Sequence, residues 1–336
     1  MRNSGICASL AAAGFLSHAA LAETVTLKFG SPMPNFAPVA TEVVIPWLKD
    51  VEAASNGTIK FQQFWGSQLV QNPTMEYQAL MNGVVDVDML VPAFFQQVLP
   101  DSAIFALPGM VRSADEAAYG GWKMYEAGLL RGMDKLYVAG TFSNDPGGLH
   151  FARVVKSLDG LKGLKIRVSG PAEAQIVQSL GAAPVGMGVT DIAESLSRGV
   201  YDGSLNGWSA NHLYRVTPVL KSHFDLSLGV RQMILAMNRS VYDKLPPEAR
   251  AALDHASGLA LSLRLAEAME KDGERLRAEA RQKGMIVALD AADEARLAAA
   301  EKPLIERYLA DTPDGPRKHE FLLHAVEEFR AGQQVH

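Results

Sequence analysis

Two short segments of this 336-residue chain carry residue types found in catalytic sites, but one has the wrong spacing and the other the wrong final residue. His319-Glu320 is followed by His324, five positions after the first histidine, whereas a helical zinc site needs four so that both rings share one face. The run Gly207-Trp208-Ser209-Ala210-Asn211 resembles a hydrolase nucleophile turn but ends in Asn where that turn requires Gly. A phosphate-binding loop ending in Gly-Lys-Ser/Thr is also missing. The sequence therefore favours no enzyme, and we expect neither a metal nor a cofactor.

The composition is that of an ordinary globular protein, with 48% hydrophobic and 21% charged residues. There are 32 basic and 37 acidic residues, and the formal charge of −5 argues against binding to nucleic acid, which requires clustered positive charge. No apolar run long enough to cross a bilayer follows the first 25 residues, so we expect no stable membrane insertion. A chain of this length should divide into two lobes.

The first 22 residues have the pattern of a secretory signal peptide. Arg2 precedes an apolar stretch at 6–16, and Ala20-Leu21-Ala22 forms a small-residue cleavage site before Glu23. A short membrane anchor is the alternative, but the stretch is too short to span a bilayer and polar residues interrupt it. The single cysteine, Cys7, lies in this segment, so the mature chain would contain no disulfide. We therefore expect a periplasmic protein that is cleaved near Ala22 and Glu23.

The rest of the chain alternates predicted strands and helices in a way that indicates parallel sheets. Apolar and polar residues alternate at 25–29, a helix follows, and a second strand is predicted at 59–65. A helix at 75–81 and a strand at 84–91 complete this βαβ series. The second half repeats the order with shorter elements at 164–205.

One five-residue pattern occurs in both halves. Asn82-Gly83-Val84-Val85-Asp86 and Arg198-Gly199-Val200-Tyr201-Asp202 each place a helix-ending glycine directly before a strand that carries an acidic residue at its third position. Because the pattern recurs at corresponding places, it predicts two lobes of similar build.

A stretch rich in Ala and Leu at 247–284 predicts a helix of up to 38 residues, about 57 Å long and longer than one lobe. The alternative is two helices that break near Asp272-Gly273. In either form we expect it to brace both lobes. The predicted domains are a signal peptide at 1–22, a first lobe at 23–146 plus about 230–260, a second lobe at 147–229 plus about 285–336, and a lobe-spanning helix at about 247–284.

The segment at 157–168 resembles a known family signature. It reads Ser157-Leu158-Asp159-Gly160-Leu161-Lys162-Gly163-Leu164-Lys165-Ile166-Arg167-Val168, which is similar to the Asp-Leu-Lys-Gly-Leu-Lys-Ile-Arg pattern of solute-binding proteins that serve TRAP (tripartite ATP-independent periplasmic) transporters. The landmarks Gly83-Val84-Val85-Asp86 and Gly199-Val200-Tyr201-Asp202-Gly203 match that family in order. One departure is Asn144-Asp145-Pro146-Gly147-Gly148, which stands where a basic residue is often found.

The resemblance implies an α/β, two-lobed periplasmic binding protein fold. Each lobe would be a mixed, mostly parallel sheet flanked by helices, with a long helix bracing both. It also implies a monomeric receptor that captures a small organic acid between the lobes by hinge closure and delivers it to ion-gradient-driven TRAP membrane subunits. Two alternatives stay open: a secreted hydrolase or isomerase acting in the same cleft, and the receptor of an ATP-driven transporter.

The same resemblance implies which residues contact the ligand. Arg167 corresponds to an arginine that clamps the ligand carboxylate, a role that suits the planar guanidinium, although it could also be a surface arginine at a strand end. Asn206 matches a ligand-contacting asparagine or is a turn residue. Trp208 would floor the pocket or fill the core, and Arg153 would contact the ligand or form a structural salt bridge. Three residues near strand-to-helix junctions of the first lobe complete the predicted site: Phe36, Gln68 and Phe94.

Overall fold

The computed structural model describes residues 24–187 and 192–333. The predicted signal peptide at 1–22, with its cleavage site at Ala22 and Glu23, lies outside the described residues. Within the described ranges, no helix combines the length and the apolar composition that crossing a membrane requires.

The described chain contains ten strands and eleven α-helices, together with shorter 3-10 and π-helical segments. The strands are β1 (Val25–Gly30), β2 (Ile59–Phe64), β3 (Val87–Leu90), β4 (Leu136–Ser143), β5 (Gly148–Phe151), β6 (Lys165–Val168), β7 (Ala183–Gly186), β8 (Gly203–Asn206), β9 (Ser222–Phe224) and β10 (Gln232–Asn238). The helices are α1 (Ile45–Ala54), α2 (Glu76–Met81), α3 (Ala114–Glu126), α4 (Pro171–Ser179), α5 (Ile192–Ser197), α6 (Trp208–Leu213), α7 (Arg239–Tyr242), α8 (Pro247–Ala256), α9 (Leu259–Gln282), α10 (Ala291–Asp311) and α11 (Gly315–Gln333).

The strands form two five-stranded sheets of the same design. The first sheet has the order β2-β1-β3-β10-β4 and the second has the order β7-β6-β8-β5-β9. In each sheet the first three strands are parallel, and the fourth runs antiparallel to both of its neighbours. The predicted fold of two mixed sheets flanked by helices is confirmed.

The acidic residue of the repeated sequence pattern has the same role in both sheets. Asp86 Oδ2 accepts a hydrogen bond from the backbone N–H of Lys28 at 2.8 Å, and Asp202 Oδ2 accepts one from Lys165 at 3.0 Å. Both aspartates also donate their own N–H to the carbonyl of the same lysine. Lys28 in β1 and Lys165 in β6 are therefore equivalent positions.

Two crossing segments connect the sheets, and each runs from the carboxyl edge of one sheet to the carboxyl edge of the other. Residues 144–147 run from the end of β4, and residues 225–231 run from the end of β9. Gln232 pairs with Ser143 at the carboxyl edge of the first sheet, and Gly148 pairs with Asn206 at the carboxyl edge of the second. The carboxyl edges therefore meet at the crossings, where sheets of this kind bind ligands.

The two sheets differ in how they are buried. Side chains of the first sheet point alternately into two apolar cores. In the second sheet, Ile166, Leu205 and Phe224 point into one apolar core together with residues of α4 and α10. The opposite face carries a row of polar residues paired in register across four strands: Arg167, Ser204, His150 and His223.

The long helix predicted at 247–284 is two helices, and neither predicted form of it is correct. Gly258 separates α8 from α9 because it adopts a φ of +107° and donates its N–H to the carbonyl of Ala139. Gly273 lies within α9, at the place where a break was expected. Helix α9 packs on α3 and β4 beside the first sheet and on α6 beside the second, so it contacts both halves.

The carboxyl-terminal helices divide between the two halves, whereas the sequence assigned about 285–336 to the second lobe. Helix α10 packs on α4, but α11 packs on α3, where Leu322 and Val326 enter a core of the first sheet. Between α9 and α10, Ile286 forms an isolated parallel bridge with His223 of β9.

Candidate ligand-binding site

Arg167 lies at the carboxyl end of β6 and is enclosed by protein. Its side chain is only 1% exposed, and Nε donates to the carbonyl oxygen of Met187 at 2.8 Å. Among the described residues, Nη1 has no hydrogen-bond partner. Burial is the main reason that the pKa of Arg167 is lowered; the charge of Glu173 raises it and that of Arg231 lowers it. Because a guanidinium stays charged in proteins, this buried cation favours an incoming anion.

Three more polar atoms without partners lie on residues close to Arg167. Ser204 pairs with Arg167 in register, and its Oγ is buried and unpartnered within the described chain. Asn206 donates Nδ2 to Oδ1 of Asn211 at 3.2 Å, which leaves Asn206 Oδ1 and Asn211 Nδ2 buried without partners there. Buried polar atoms are nearly always hydrogen-bonded, so this cluster indicates a place for a polar ligand or water.

Arg231 lies on the second crossing segment, at the carboxyl edge of the second sheet. Its Nη2 donates to Ser169 Oγ at 2.8 Å and forms an ion pair with Glu173 at 3.4 Å. Its backbone N–H donates to Asn144 Oδ1 at 2.7 Å, which joins the two crossings. The proximity of Arg231 and Asn144 can be recognised only once the strand order is known, because the two crossings are far apart in sequence. Sequence reasoning missed Tyr214 and Arg231, whose charges act on Arg167, and Asn211, which accepts a hydrogen bond from Asn206.

A buried pair of histidines holds the backbone beside the site. His150 Nε2 lies 3.0 Å from the carbonyl oxygen of Asn206, and His150 Nδ1 lies 2.8 Å from His223 Nδ1. A carbonyl only accepts, so Nε2 of His150 donates, and its Nδ1 accepts from His223 when both rings are neutral. Burial lowers the pKa of His150 well below its ordinary value and that of His223 to about 4. Both rings are therefore neutral at pH 7.

Apolar side chains are exposed at the carboxyl edge of the first sheet. Phe36 follows β1 and is 71% exposed, Met75 follows β2 and is 51% exposed, and Phe94 follows β3 and is 39% exposed. Gln68 lies in the loop after β2 and lines a small cavity with Glu76. The three predicted first-lobe residues thus lie at the expected edge of this sheet.

Comparison with known proteins identifies the family of this chain. The model for bacterial extracellular solute-binding proteins of family 7 matches residues 29–311. The chain belongs to this family. Its relatives are receptors that bind solutes for transporters, not enzymes.

Two solved structures and one curated relative show the likeness. The chain is 27% identical to a marine metagenome TRAP solute-binding protein in complex with 3-hydroxybenzoate, over 91% of this chain and 99% of that one, with a TM-score of 0.81. A TRAP solute-binding protein from Rhodoferax ferrireducens, with copurified benzoate, is 26% identical over 92% and 100% of the two chains, with a TM-score of 0.80. The C4-dicarboxylate-binding periplasmic protein DctP of Rhodobacter capsulatus is 28% identical over 250 residues, 72% of this chain and 73% of that protein.

In this solute-binding protein, Trp208 makes the contacts of a core residue. Its ring is 3% exposed and packs with Leu276 and Ala280 of α9. The indole N–H donates to Asp225 Oδ1 at 2.9 Å. These contacts favour the core alternative over a pocket floor, because both the ring and its donor are occupied by protein.

Arg153 lies away from the other residues of the solute-binding protein's candidate site. Its side chain is 62% exposed and forms an ion pair with Asp202 at 3.6 Å. Strand β5 runs antiparallel to β8, so the chain after Phe151 leaves the sheet at the edge opposite to Asn206. This position and the ion pair with Asp202 favour the salt-bridge alternative over a ligand contact.

Proposed function

We propose that this chain is the extracytoplasmic receptor of a TRAP transporter and that it captures a small aromatic monocarboxylate. The buried guanidinium of Arg167 carries this proposal, since its Nη1 has no partner among the described residues. A carboxylate matches the planar fork of an arginine and supplies the opposite charge. The unpartnered amide nitrogen of Asn211 is a second donor for the same group.

The charges at this edge suit one carboxylate better than two. Arg231 lies close enough to lower the pKa of Arg167, but it is already paired with Glu173. A second carboxylate would have to displace Glu173 from this ion pair. The ligand therefore needs one acidic group and little further charge.

The first sheet offers an apolar surface to the rest of the ligand. Phe36, Met75 and Phe94 are exposed after three parallel strands, and the two phenylalanine rings can stack on an aromatic ligand. The two solved relatives that hold 3-hydroxybenzoate and benzoate support the same class of ligand.

Closure of the lobes would complete the site. Rotation about the crossings at 144–147 and 225–231 would bring the apolar edge of the first sheet over Arg167 and exclude water from the ion pair. In this proposal the closed monomer is the form that docks on the TRAP membrane subunits in the periplasm.

Titration calorimetry with benzoate, 3-hydroxybenzoate, succinate and glucuronate tests this function. We expect saturable binding of the aromatic acids and at least a 100-fold loss of affinity in Arg167→Ala, with an unchanged circular dichroism spectrum. Arg153→Ala is the matched control, because it removes an exposed arginine of the same sheet and should keep full affinity. Equal binding by Arg167→Ala, or binding of succinate alone, would contradict the proposal.

A further inference from the structure

A small cavity at the carboxyl edge of the first sheet contains an unpartnered carboxyl group. Its volume of about 10 Å³ admits one water molecule or one bare ion. Glu76 lines this cavity with a side chain that is 2% exposed, and its Oε2 is buried without a hydrogen-bond partner in the described chain. Asp88 also lines it, is 2% exposed, and accepts the N–H of Met89 at Oδ1.

The polar side chains around this cavity offer oxygen. Besides the two carboxyl groups, the cavity is lined by Ser31, Ser67 and Gln68, and neither imidazole nor thiol is among its lining residues. Oxygen ligands select hard cations such as Ca²⁺ and Na⁺ over transition metals.

The loops that frame the cavity are fixed by backbone hydrogen bonds. Ser67 donates its N–H to the carbonyl of Ser31 at 3.0 Å, and Gly66 donates to Met33 at 2.8 Å. Gly30 leaves no spare room, since a Cβ there would lie 3.3 Å from Asp88 Oδ1. The cavity is thus formed before any ligand arrives.

The two carboxyl groups have no basic partner. Across residues 24–187 and 192–333, no Lys or Arg forms an ion pair with Glu76 or Asp88, although each carboxyl group is almost fully buried. An ionised carboxylate in such surroundings requires an opposite charge close by. A cation in the cavity would supply that charge to both groups.

The repeat relates this cavity to the candidate acid site. Gly30 pairs with Asp88 in register just as Arg167 pairs with Ser204, and each first member lies two residues after its equivalent lysine. Within the described residues, one half therefore has a buried cation that forms no ion pair, and the other half has two buried acidic groups that form none. We propose that the cavity binds a hard, oxygen-preferring cation between Glu76 and Asp88.

The test measures cation binding in the absence of any organic acid. The full mature chain is stripped with a chelator, dialysed into choline chloride, and titrated with CaCl₂, NaCl or MgCl₂ at constant ionic strength. We expect a saturable rise of Tm with Ca²⁺ or Na⁺ and a stoichiometry of one ion per chain by calorimetry. The salt that raises Tm at the lowest concentration identifies the preferred ion.

Two variants make this measurement specific. Glu76→Gln keeps the shape of the side chain and removes its charge, so it should fold normally and lose the cation response at least tenfold. Asp50→Asn removes an exposed carboxylate from α1 and should respond as the wild type does. An unchanged Tm in all three chlorides would overturn the proposal in favour of a protonated acid pair, and so would an equal response from Glu76→Gln. Arg167→Ala should keep the cation response, which separates this outcome from that of the acid site.

Discussion

The two sheets share strand order, strand direction and the aspartate that anchors the first parallel strand, yet they place opposite chemistry at the same position. At the second residue after the equivalent lysine, Gly30 pairs with Asp88 in the first sheet and Arg167 pairs with Ser204 in the second. The fold fixes where a polar group can be buried next to the cleft. The individual side chain then fixes the sign of its charge, and therefore which ligand it attracts.

The faces of the sheets extend this contrast. The first sheet is packed by apolar side chains on both faces, whereas the second has a row of polar residues across one face. Burial of apolar surface stabilises without geometric demands, but buried polar groups must each find a partner. The polar face of the second sheet should therefore respond more strongly to an acidic ligand than the apolar faces of the first sheet.

The largest expected effect comes from giving the second sheet the acidic residue of the first. In Ser204→Asp, a carboxylate beside Arg167 would occupy the partner position that we assign to the ligand. We expect acid affinity to fall at least 100-fold, about 2.7 kcal/mol, without loss of thermal stability. Calorimetry and thermal unfolding measure both, with Ser204→Asn as the uncharged control. Wild-type affinity in Ser204→Asp would refute the assigned partner position.

The next largest effect is expected from a substitution in α9, where this helix packs between the two halves. A Cβ on Gly273 would lie 2.8 Å from both Asp145 Oδ2 and Ser209 Oγ. Asp145 is fully buried and accepts the backbone N–H of Ser209, so it has little freedom to move. We expect Gly273→Ala to lower the free energy of unfolding by about 1–3 kcal/mol. Urea unfolding measures this, and Gly186→Ala, which has open space around it, should be close to neutral.

The buried His223 should make a destabilising contribution to the folded chain at acid pH. Burial lowers the pKa of His223 to about 4, whereas an unfolded histidine titrates near pH 6.5. The unfolded state therefore gains protons first as the pH falls, so this stability is full above pH 6.5 and is lost towards pH 4. Between pH 7 and 5 we expect a loss on the order of 1–2 kcal/mol.

The first sheet and the variant His223→Gln provide controls for this pH effect. The first sheet has Ala236 and Val138 at the positions equivalent to His150 and His223, so it has no histidine pair there. Urea unfolding of His223→Gln at both pH values should show a smaller difference than the wild type. An equal difference in both proteins would assign the pH effect to other groups.

The smallest expected effect tests whether the two repeated aspartates are equivalent. Asp86→Asn and Asp202→Asn each weaken one hydrogen bond to a backbone N–H, and we expect each to cost about 1 kcal/mol. Thermal unfolding measures the cost, and neither variant should alter acid binding. A cost found in only one of them would show that the sheets are less alike than their hydrogen bonds indicate.

Local sequence patterns predicted much of the fold. Alternating residues located β1, and the pattern ending at Asp86 and Asp202 predicted the repeat, because a helix-ending glycine and a strand that follows it are local features. The edge that carries Arg167 followed from the family signature. The polar row did not, since its four members come from strands that pair only in the folded chain.

Contacts between distant residues decide the questions that local sequence patterns left open. Gly258 and Gly273 both interrupt a helical sequence, and only the hydrogen bond to β4 and the close approach to Asp145 show that the first ends a helix and the second does not. Arg153 and Trp208 are near Arg167 and Asn206 in sequence, but strand direction and packing on α9 take them elsewhere.

The order of strands in the first sheet also governs how the polypeptide is assembled during synthesis. Strand β4 contacts β10 alone in that sheet, and every strand of the other sheet separates the two along the chain. A nascent polypeptide therefore carries residues 136–143 without their neighbour until residue 238 has been added. A fragment cut between the sheets would expose this hydrophobic strand and aggregate.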